Sequence, residues 1–397
     1  MTVIVAILTM LSILLVIYHH AGYPVLLRVL GSKRRRSDAA EKELETGPES
    51  DLPSITILLP AYNEERFIAD KIRNLAFLDY PRDRLKILIA SDGSSDSTYQ
   101  TALDTLREPE CRDCSIRVIE FEQNRGKVAM LNSLIESIDT DILALSDVSA
   151  LISIDALRLA ARRFRNPRVA VVNGNYRLLK PGQAGEQKYW EYQSRLKADE
   201  ASLGSVIGSH GAFYLIRTHL YPRLPEDTIN DDFIIPMEIV RQGYLSVYEG
   251  GINALELEQA PAGQDSRRRL RISAGNLQQA LRLRGLLLPK HGGTAFTFAS
   301  GKVLRVLMPY LMLTALAGSL YLAGSHPLFM LLAIGQVSIY GLYLLLEIFG
   351  LGNSSAALQA LKYLLRGHFN NLRGSLAYAG NAASKALRLH AFYKPQH

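Results

Sequence analysis

The chain has 397 residues, 48 % of them hydrophobic, and a formal net charge of +7. Long apolar runs lie at both ends, around a middle region with the composition of a soluble α/β domain. Its Lys and Arg residues cluster beside the apolar runs without interleaved aromatic residues, which argues against nucleic acid and favours anionic lipid headgroups. A single CxxC, Cys111 and Cys114, is too small for a four-ligand zinc site and fits a reducing compartment.

The N-terminal apolar run is long enough to cross a bilayer. No Lys or Arg precedes it, and the basic cluster Lys33–Arg36 follows it. This order predicts a transmembrane helix over residues 1–30, with residue 33 onward in the cytosol. A linker with basic and acidic residues is expected over 31–52.

The soluble region opens with a predicted strand, helix and strand. Ile55–Leu59 and Leu85–Ala90 are apolar runs typical of strands buried in a parallel sheet, and 64–75 has the apolar spacing of one helix face. Each strand ends in a polar loop, Ala61–Glu64 after the first and Asp92–Asp96 after the second. Ligands bind outside the carboxyl ends of such strands, so both loops are expected at a ligand site.

The two loop motifs, PAYNEE and SDGSSDST, together resemble the nucleotide-sugar site of family 2 glycosyltransferases. The resemblance implies an α/β fold of the GT-A type over residues 53–260, with a Rossmann-like, mostly parallel sheet in a cytosolic domain. It implies that Asp92 contacts the uracil or ribose of a UDP-sugar. It also implies donor contacts from the first loop, at Ala61, Tyr62, Asn63 and Glu64.

A third element, Asn124-Arg125-Gly126-Lys127, follows a predicted strand over 116–121 and leads into a helix. It resembles the N-x-G-K element of the family, which implies that Lys127 approaches the donor diphosphate. The alternative interpretation is a solvated loop lysine before a helix.

A fourth element, Ser146-Asp147-Val148-Ser149, ends the predicted strand 142–145, where the family has an Asp-x-Asp motif. A diphosphate leaving group gains negative charge as its bond breaks, and a hard divalent cation held by carboxylate oxygens neutralises that charge. The resemblance therefore implies Mg²⁺ or Mn²⁺ at Asp147. Ser149 replaces the second aspartate, which leaves metal dependence open.

The acceptor side is predicted from two later segments. Glycines over 204–213 allow close backbone approach to a ligand, and the resemblance implies acceptor contacts from Gly208, His210 and Gly211. His210 also fits a purely structural role. In DTINDDFIIPM, the family's acidic motif implies that Asp232 is the catalytic base, with Asp231 as the alternative base or a supporting acid. The pair also suits the first turn of a helix.

Residues 261–300 predict a basic, amphipathic interfacial segment. Within it, Arg271 matches the arginine of the Gln-x-x-Arg-Trp motif of processive family members, which implies a contact with the donor diphosphate. Arg268 and Ile272 replace the glutamine and tryptophan. The missing tryptophan argues against a self-contained polymer synthase.

Residues 303–350 predict two transmembrane helices, and 351–397 predict a cytosolic, amphipathic, basic tail. Every basic cluster then falls on the side of Lys33–Arg36, as expected for a multi-pass protein of the inner (cell) membrane with a cytosolic catalytic domain.

The resemblance implies an inverting hexosyltransferase that moves a sugar from a UDP-sugar to a saccharide or lipid-linked acceptor, for envelope or extracellular polysaccharide. Membrane lipids are expected partners, nucleic acid is not, and export or polymerisation proteins are candidate partners. Two alternatives stay open: a polyprenyl-phosphate monosaccharide transferase, and a non-catalytic membrane subunit that keeps the fold.

Overall fold

The computed structural model describes residues 1–35, 52–179, 184–258, 262–352 and 355–383. Most of the predicted linker 31–52 and the end of the predicted basic tail lie outside these ranges. The chain divides into two compact units. The membrane-helix unit comprises Met1–Val29, Ala262–Arg282 and Phe296–His397, and the sheet unit comprises Leu30–Pro261 and Leu283–Ala295.

The strands of the described residues form one mixed sheet in the order β3-β2-β1-β4-β7-β6-β8-β5. The strands are β1 Ile55–Ala61, β2 Leu85–Asp92, β3 Ser115–Phe121, β4 Ile142–Ser146, β5 Ala150–Ile152, β6 Val169–Leu178, β7 Phe213–Arg217 and β8 Leu245–Glu256. Pairs β1–β2, β1–β4, β2–β3 and β6–β8 are parallel, whereas β4–β7, β6–β7 and β5–β8 are antiparallel. The predicted α/β fold with a mostly parallel sheet is confirmed.

The α-helices of the described residues pack around this sheet or form the membrane-helix unit. In chain order they are α1 Thr2–Ile17, α2 Tyr23–Arg35, α3 Ile68–Ala76, α4 Thr98–Thr105, α5 Lys127–Ile135, α6 Ala156–Phe164, α7 Ala184–Leu203, α8 Asp231–Arg241, α9 Ala262–Arg282, α10 Gly293–Thr297, α11 Leu304–Leu322, α12 Pro327–Ile348 and α13 Ala356–Ala383. Helix α3 begins later than the predicted Glu64, because the Glu64 carbonyl closes a tight turn with the amides of Phe67 and Ile68.

The strand register brings the polar loops to one edge of the sheet. Ala61 at the end of β1 pairs with Ser91 near the end of β2. Strand β7 is antiparallel to β4, and Ser146 pairs with Phe213 at its start. The loops that follow β1, β2 and β4 and the loop that precedes β7 therefore lie at the same edge. The core beneath this edge is apolar, and the side chains of Ile57, Leu59 and Ile72 are fully buried there.

Three helices of the described residues are long and apolar enough to cross a membrane: Thr2–Gly31, Gly293–Leu322 and Pro327–Ile348. The second begins ahead of the predicted residue 303 because α10 continues into α11 through a π-helical turn, Phe298–Val303. Another π-helical turn, Tyr18–Gly22, joins α1 to α2. Helix α13 occupies the described part of the tail that was predicted to be amphipathic.

Candidate active site

The first two motif loops are joined by side-chain hydrogen bonds. Asn63 adopts a positive φ of 54°, and its side-chain oxygen accepts from the Ser95 amide at 2.8 Å. The Glu64 amide donates to the Thr98 hydroxyl at 2.7 Å. Asn tolerates this left-handed conformation better than most residues, because its amide makes local hydrogen bonds. The structure thus brings Ala61–Glu64 and the loop after β2 together at this edge of the sheet.

Asp92 links the second loop to the N-R-G-K element. Its side chain is buried, with 4 % of its surface exposed. One carboxylate oxygen accepts from the Arg125 amide at 3.0 Å and the other from the Gly126 amide at 2.9 Å. The next residue, Gly93, has a φ of +67°, and an added Cβ would lie 2.3 Å from the Asn124 nitrogen. The sequence SDG therefore fits a tight approach of two loops, and Asp92 shapes the segment that leads to Lys127.

Lys127, at the start of α5, bridges two acidic segments. Its ammonium lies 3.2 Å from Asp231 Oδ2 and 3.4 Å from Asp147 Oδ1. Burial disfavours the charge, but the carboxylates of Asp231 and Asp147 outweigh it and raise the pKa of Lys127. The lysine is therefore a permanent cation between the two acidic segments, at the place where a diphosphate is expected.

Asp232 is held close to Asp147 through Gly211. Its Oδ2 accepts from the Gly211 amide at 3.2 Å, and the Gly211 carbonyl accepts from the Asp147 amide at 3.2 Å. An added Cβ on Gly211 would lie 2.9 Å from Asp147 Oδ2, so a larger residue would crowd the carboxylate. Burial, followed by the charge of Asp231, raises the pKa of Asp232 to about 6. A base with a pKa just below neutral pH is ionised and still accepts a proton readily.

Asp231 and Asp232 also occupy the first turn of α8. Carboxylates are favoured there by the positive end of the helix dipole. The two interpretations of this pair, acids in the first turn of a helix and a catalytic base with a supporting acid, are therefore compatible in the structure.

The predicted acceptor residues lie in the loop before β7. The ring of His210 stacks on Tyr176 with 3.8 Å between centroids, and its Nδ1 accepts from the Ala212 amide at 3.2 Å. The neutral ring therefore carries its proton on Nε2. Gly208 has a φ of +75°, and an added Cβ would lie 2.2 Å from the Phe233 ring. Gly211 contacts Asp232 and His210 is its neighbour in the chain, whereas Gly208 allows close packing of the loop against Phe233.

A buried lysine below the site was missed by the sequence analysis. Lys71 is fully buried on α3, and its ammonium donates to Ser146 Oγ at 2.7 Å and to the Ala150 carbonyl. These two partners flank Asp147 on both sides. Burial lowers the pKa of Lys71 to about 7, against the opposing charges of Asp147 and Glu256. The sequence does show a lysine on the apolar face of α3, between Ile68 and Ile72, and such a position indicates a buried charge.

Glu64, in the loop after β1, lies among several other carboxyl groups. Burial and the nearby carboxylates of Glu258 and Asp147 raise the pKa of Glu64 to about 8. A carboxyl that holds its proton at neutral pH donates a hydrogen bond instead of repelling a phosphate. The motif predicts donor contact for Glu64 but does not reveal this protonation state.

A family model described as Glycosyltransferase like family 2 matches residues 53–273, more than half of the chain. The chain belongs to this family. The matched range contains the predicted GT-A domain and ends beyond Arg271, so the family assignment made from the motifs is confirmed.

Curated relatives of this family 2 glycosyltransferase include the poly-β-1,6-N-acetyl-D-glucosamine synthases of two staphylococci. The Staphylococcus aureus protein is 27 % identical over 207 residues, 50 % of this chain and 48 % of the relative. The Staphylococcus epidermidis protein is 27 % identical over 203 residues, 49 % of this chain and 48 % of the relative. The chain thus spans about half the length of the curated relatives that it matches.

Among solved structures, a mannosyltransferase from Pyrobaculum calidifontis in complex with GDP-Man and Mn²⁺ has the same fold. The TM-score is 0.67 at 20 % sequence identity, over 93 % of this chain and 99 % of that one. At this identity the likeness supports the GT-A fold and leaves substrate roles open.

The residues at the expected metal site fit an ion that is carried by its substrate. Asp147 is accessible, with 39 % of its side chain exposed, whereas Ser149 is buried. Among the described residues, no three His, Cys, Asp or Glu side chains converge on a preformed metal site. Mg²⁺ usually keeps several waters and binds one or two carboxylates together with substrate phosphates. Asp147, together with a substrate diphosphate and waters, meets that requirement, so the site fits an ion that arrives with the donor.

Arg271 lies on α9, which belongs to the membrane-helix unit. Its predicted contact with the diphosphate therefore stays a prediction. In the first loop, Ala61 is buried at the end of β1, Tyr62 and Glu64 are half-buried, and Asn63 is exposed.

Proposed function

We propose that this family 2 glycosyltransferase moves a hexose from a UDP-sugar to a saccharide or lipid-linked acceptor, with inversion at the anomeric carbon. The observation that supports the proposal best is the grouping of Lys127, Asp147 and Asp232 around Gly211 at one edge of the sheet. One cation, one accessible carboxylate and one half-buried base are the groups that a direct displacement requires.

In the proposed reaction, an acceptor hydroxyl oxygen attacks the anomeric carbon of the donor. Asp232 takes the hydroxyl proton as the new C–O bond forms. The bond from the anomeric carbon to the diphosphate oxygen breaks on the opposite face, and UDP leaves with the electron pair. A single displacement of this kind needs no enzyme nucleophile, and it inverts the configuration.

Lys127 has two tasks in this scheme. In the ligand-free protein it neutralises Asp147 and Asp231, and in the donor complex its ammonium turns toward the diphosphate. A divalent cation at Asp147, when bound, supplies further positive charge to the leaving group. Asp92 acts at a distance from the reacting bond, since it holds the backbone at Arg125 and Gly126 and so places the N-terminus of α5.

The relatives favour a polysaccharide as the product. The two staphylococcal proteins are named for a polymer of N-acetylglucosamine, which makes UDP-N-acetylglucosamine the first donor to test. Because the mannosyltransferase was solved with GDP-Man and Mn²⁺, GDP-mannose and Mn²⁺ are also tested as donor and metal ion. Ile272 in place of the family tryptophan favours short products or assembly with a polymerisation or export partner.

The proposed location is the inner membrane, with three spans and the sheet unit in the cytosol. Three helices of sufficient length and apolarity are described, and the basic clusters flank them. Positive loops stay in the cytoplasm, which gives the proposed orientation. A nucleotide-sugar donor and the catalytic edge then share one compartment.

The test is UDP release from UDP-N-acetylglucosamine, UDP-glucose, UDP-galactose and GDP-mannose in native membranes with added lipid extract. Each donor is assayed with Mn²⁺, with Mg²⁺ and with EDTA. The variant is Asp232→Asn, and the matched control is Asp83→Asn at an exposed position. We expect Asp232→Asn to lose roughly 10²–10⁴-fold in kcat, the usual contribution of a general base.

The outcomes separate the hypotheses. Release that survives Asp232→Asn would contradict the assignment of the base and make Asp231→Asn the next variant. Absence of release from every donor would favour a non-catalytic subunit. A product that carries one sugar on a polyprenyl phosphate would favour the monosaccharide transferase.

A further inference from the structure

The membrane-helix unit contains a group of polar side chains that the proposed transfer reaction does not use. We call it the histidine cluster. It consists of Tyr18, His19, His20, Ser300 and His368, with Arg305 beside them, since the Arg305 carbonyl accepts from Asn371, one turn after His368 on α13. Ionisable side chains within or beside membrane spans are rare and are usually functional, because they are costly to bury there.

Two π-helical turns meet at the cluster. Tyr18–Gly22 interrupts the first candidate span and Phe298–Val303 interrupts the second. The Tyr18 hydroxyl lies 2.9 Å from Ser300 Oγ, and His19 Nδ1 lies 3.0 Å from the Ser300 carbonyl oxygen. A π-helical turn is a local departure from regular helix that is found frequently at functional sites. Two of them in direct contact indicate a site that is built by both helices.

The hydrogen bonds fix where protons lie in the cluster. His19 Nδ1 and His20 Nδ1 both face carbonyl oxygens, the latter that of Val16 at 2.8 Å. A carbonyl oxygen only accepts, so both Nδ1 atoms carry a proton. His20 Nε2 then faces His368 Nε2 at 3.0 Å, and one proton is shared between these two nitrogens. Anchored in this way, the three rings have fixed orientations.

The depth of the cluster corresponds to a lipid headgroup. At ~1.5 Å rise per residue, the path from Thr2 to His20 is ~27 Å long. The path from Leu322 back to Ser300 is ~33 Å by the same rise. The hydrocarbon core of a bilayer is ~30 Å thick. From the predicted outer end, both helices therefore place the cluster at the inner polar boundary, where phosphate groups lie.

The unit has far more basic than acidic residues. The basic residues of the unit are Arg28, Arg267, Arg268, Arg269, Arg271, Arg282, Lys302, Arg305, Lys362, Arg366, Arg373, Lys385, Arg388 and Lys394, and its acids are Asp265 and Glu347. Glu347 is paired with Arg366 at 2.6 Å. Among the described side chains, no carboxylate forms an ion pair with Arg305.

His368 lies in surroundings that disfavour its charged form. Burial, and then the positive charges of His20, His19 and Arg305, lower the pKa of His368 to about 3. A phosphate bound beside these groups would oppose the positive charge and raise the pKa of His368, so phosphate binding and proton uptake would be linked.

We propose that the histidine cluster binds the phosphate of a lipid at the inner face of the membrane. Arg305 supplies the permanent charge, a histidine ring that takes up a further proton supplies an N–H donor, and the bonded hydroxyl pair of Tyr18 and Ser300 supplies an O–H donor. Simple helix packing explains the bonds to Ser300, but among the described side chains no carboxylate pairs with Arg305. The same phosphate chemistry occurs in a lipid-linked acceptor and in a membrane phospholipid, and the probes below distinguish these two sources.

The experiment uses the full chain in nanodiscs of phosphatidylcholine. Two probes are titrated, a polyprenyl monophosphate and phosphatidic acid, and Kd is measured by native mass spectrometry. The variants are Arg305→Gln and His368→Gln. The matched control is Arg373→Gln, which removes one charge from α13, where Arg373 lies over the Phe369 ring. Size-exclusion profiles identify variants that fail to fold, and Arg305→Lys then replaces Arg305→Gln.

We expect Arg305→Gln to raise the Kd of the preferred probe by about tenfold, the usual effect of losing a charge-assisted hydrogen bond. Arg373→Gln should leave it nearly unchanged. Equal losses in both variants would overturn the proposal, because they indicate a diffuse charge effect, and so would probes that bind no better than phosphatidylcholine. Tighter binding of the polyprenyl monophosphate assigns the site to a lipid carrier, and equal or tighter binding of phosphatidic acid assigns it to a phospholipid. No donor sugar is present, so the result is independent of the proposed transfer reaction.

Discussion

Replacing the buried Lys71 tests whether the turn at Asp147 is anchored from below. In Lys71→Met an apolar side chain of similar length fills the same space, and the ammonium bonds to Ser146 Oγ and the Ala150 carbonyl are lost. Both groups lose the bond from Lys71, but Ser146 Oγ keeps its bond to the Ala212 carbonyl at 2.7 Å. Only the Ala150 carbonyl is left without a described side-chain partner. An unpaired buried carbonyl costs about 1–3 kcal/mol, which removal of a buried charge partly offsets.

The pH dependence of stability is the sharper observable. The pKa of Lys71 is about 7 in the folded protein and 10.5 for an unperturbed lysine. Between these values the unfolded chain binds more protons, so this lysine makes the free energy of unfolding increase as pH rises, and the gain ends near pH 10.5. From pH 7 to pH 9 the increase is about 2 kcal/mol, since each pKa unit corresponds to ~1.4 kcal/mol. For a unit of this size that is roughly 4–8 °C in Tm.

The assay is thermal unfolding of wild type and Lys71→Met in detergent at pH 7, 8 and 9, with UDP release measured in parallel. The difference in Tm, wild type minus variant, should increase with pH. UDP release should be lower in Lys71→Met than in wild type, because Asp147 is less well placed in the variant. Lys86→Met, at an exposed lysine paired with Asp139, is the matched control and should show no such trend. A Tm difference that stays constant over this pH range would refute the depressed pKa, and normal UDP release would refute the positioning role.

Two further substitutions test how the loops are held. Gly93→Ala should lower the Tm by several degrees, because the added Cβ would lie 2.3 Å from the Asn124 nitrogen. The control is Gly243→Ala, which is also at positive φ but has no atom within 4 Å of the added Cβ, and its Tm should fall less. Equal losses in Tm would exclude the clash as the cause. Asp92→Asn should raise the KM for the donor by about tenfold with a smaller effect on kcat, since one of the two amides of the Lys127 segment loses its acceptor, worth about 1–3 kcal/mol. A loss confined to kcat would contradict this role.

The sequence predicted the first half of the sheet well. β1 and β2 are short apolar runs that end in polar loops, and burial on both faces leaves little ambiguity in such runs. The loops at Asn63 and Asp92 could be placed together because parallel strands end at one edge. Their mutual hydrogen bonds depend on local geometry that motifs do not encode.

The second half was harder to predict for physical reasons. Strand β5 has three residues and pairs with β8, more than a hundred residues along the chain, so no local pattern marks it. Strand β7 directly follows a glycine-rich segment that predicts a ligand-binding loop, and no strand was predicted there. Lys71 is a charged residue on an apolar helix face, where a local pattern predicts only an interruption.

The pi-helical turns also escaped prediction. Tyr18–Gly22 continues an apolar run without any local break, and Tyr18 bonds to Ser300, which is far away in the chain. Similarly, the proton positions of the histidines follow from carbonyl oxygens whose locations only the fold supplies.

The position of the Asp147 turn between β4 and β5 has a consequence for synthesis of the protein. Ala150 pairs with Glu256, and the Ser149 carbonyl accepts from the Leu257 amide. The turn therefore cannot take its final form until the ribosome has made the chain through residue 257. At ~5–20 residues per second, that interval is roughly 5–20 s after Asp147 itself is added. During it the first candidate span is already available for insertion, so a chain that inserts as proposed reaches the bilayer before it is able to bind a donor.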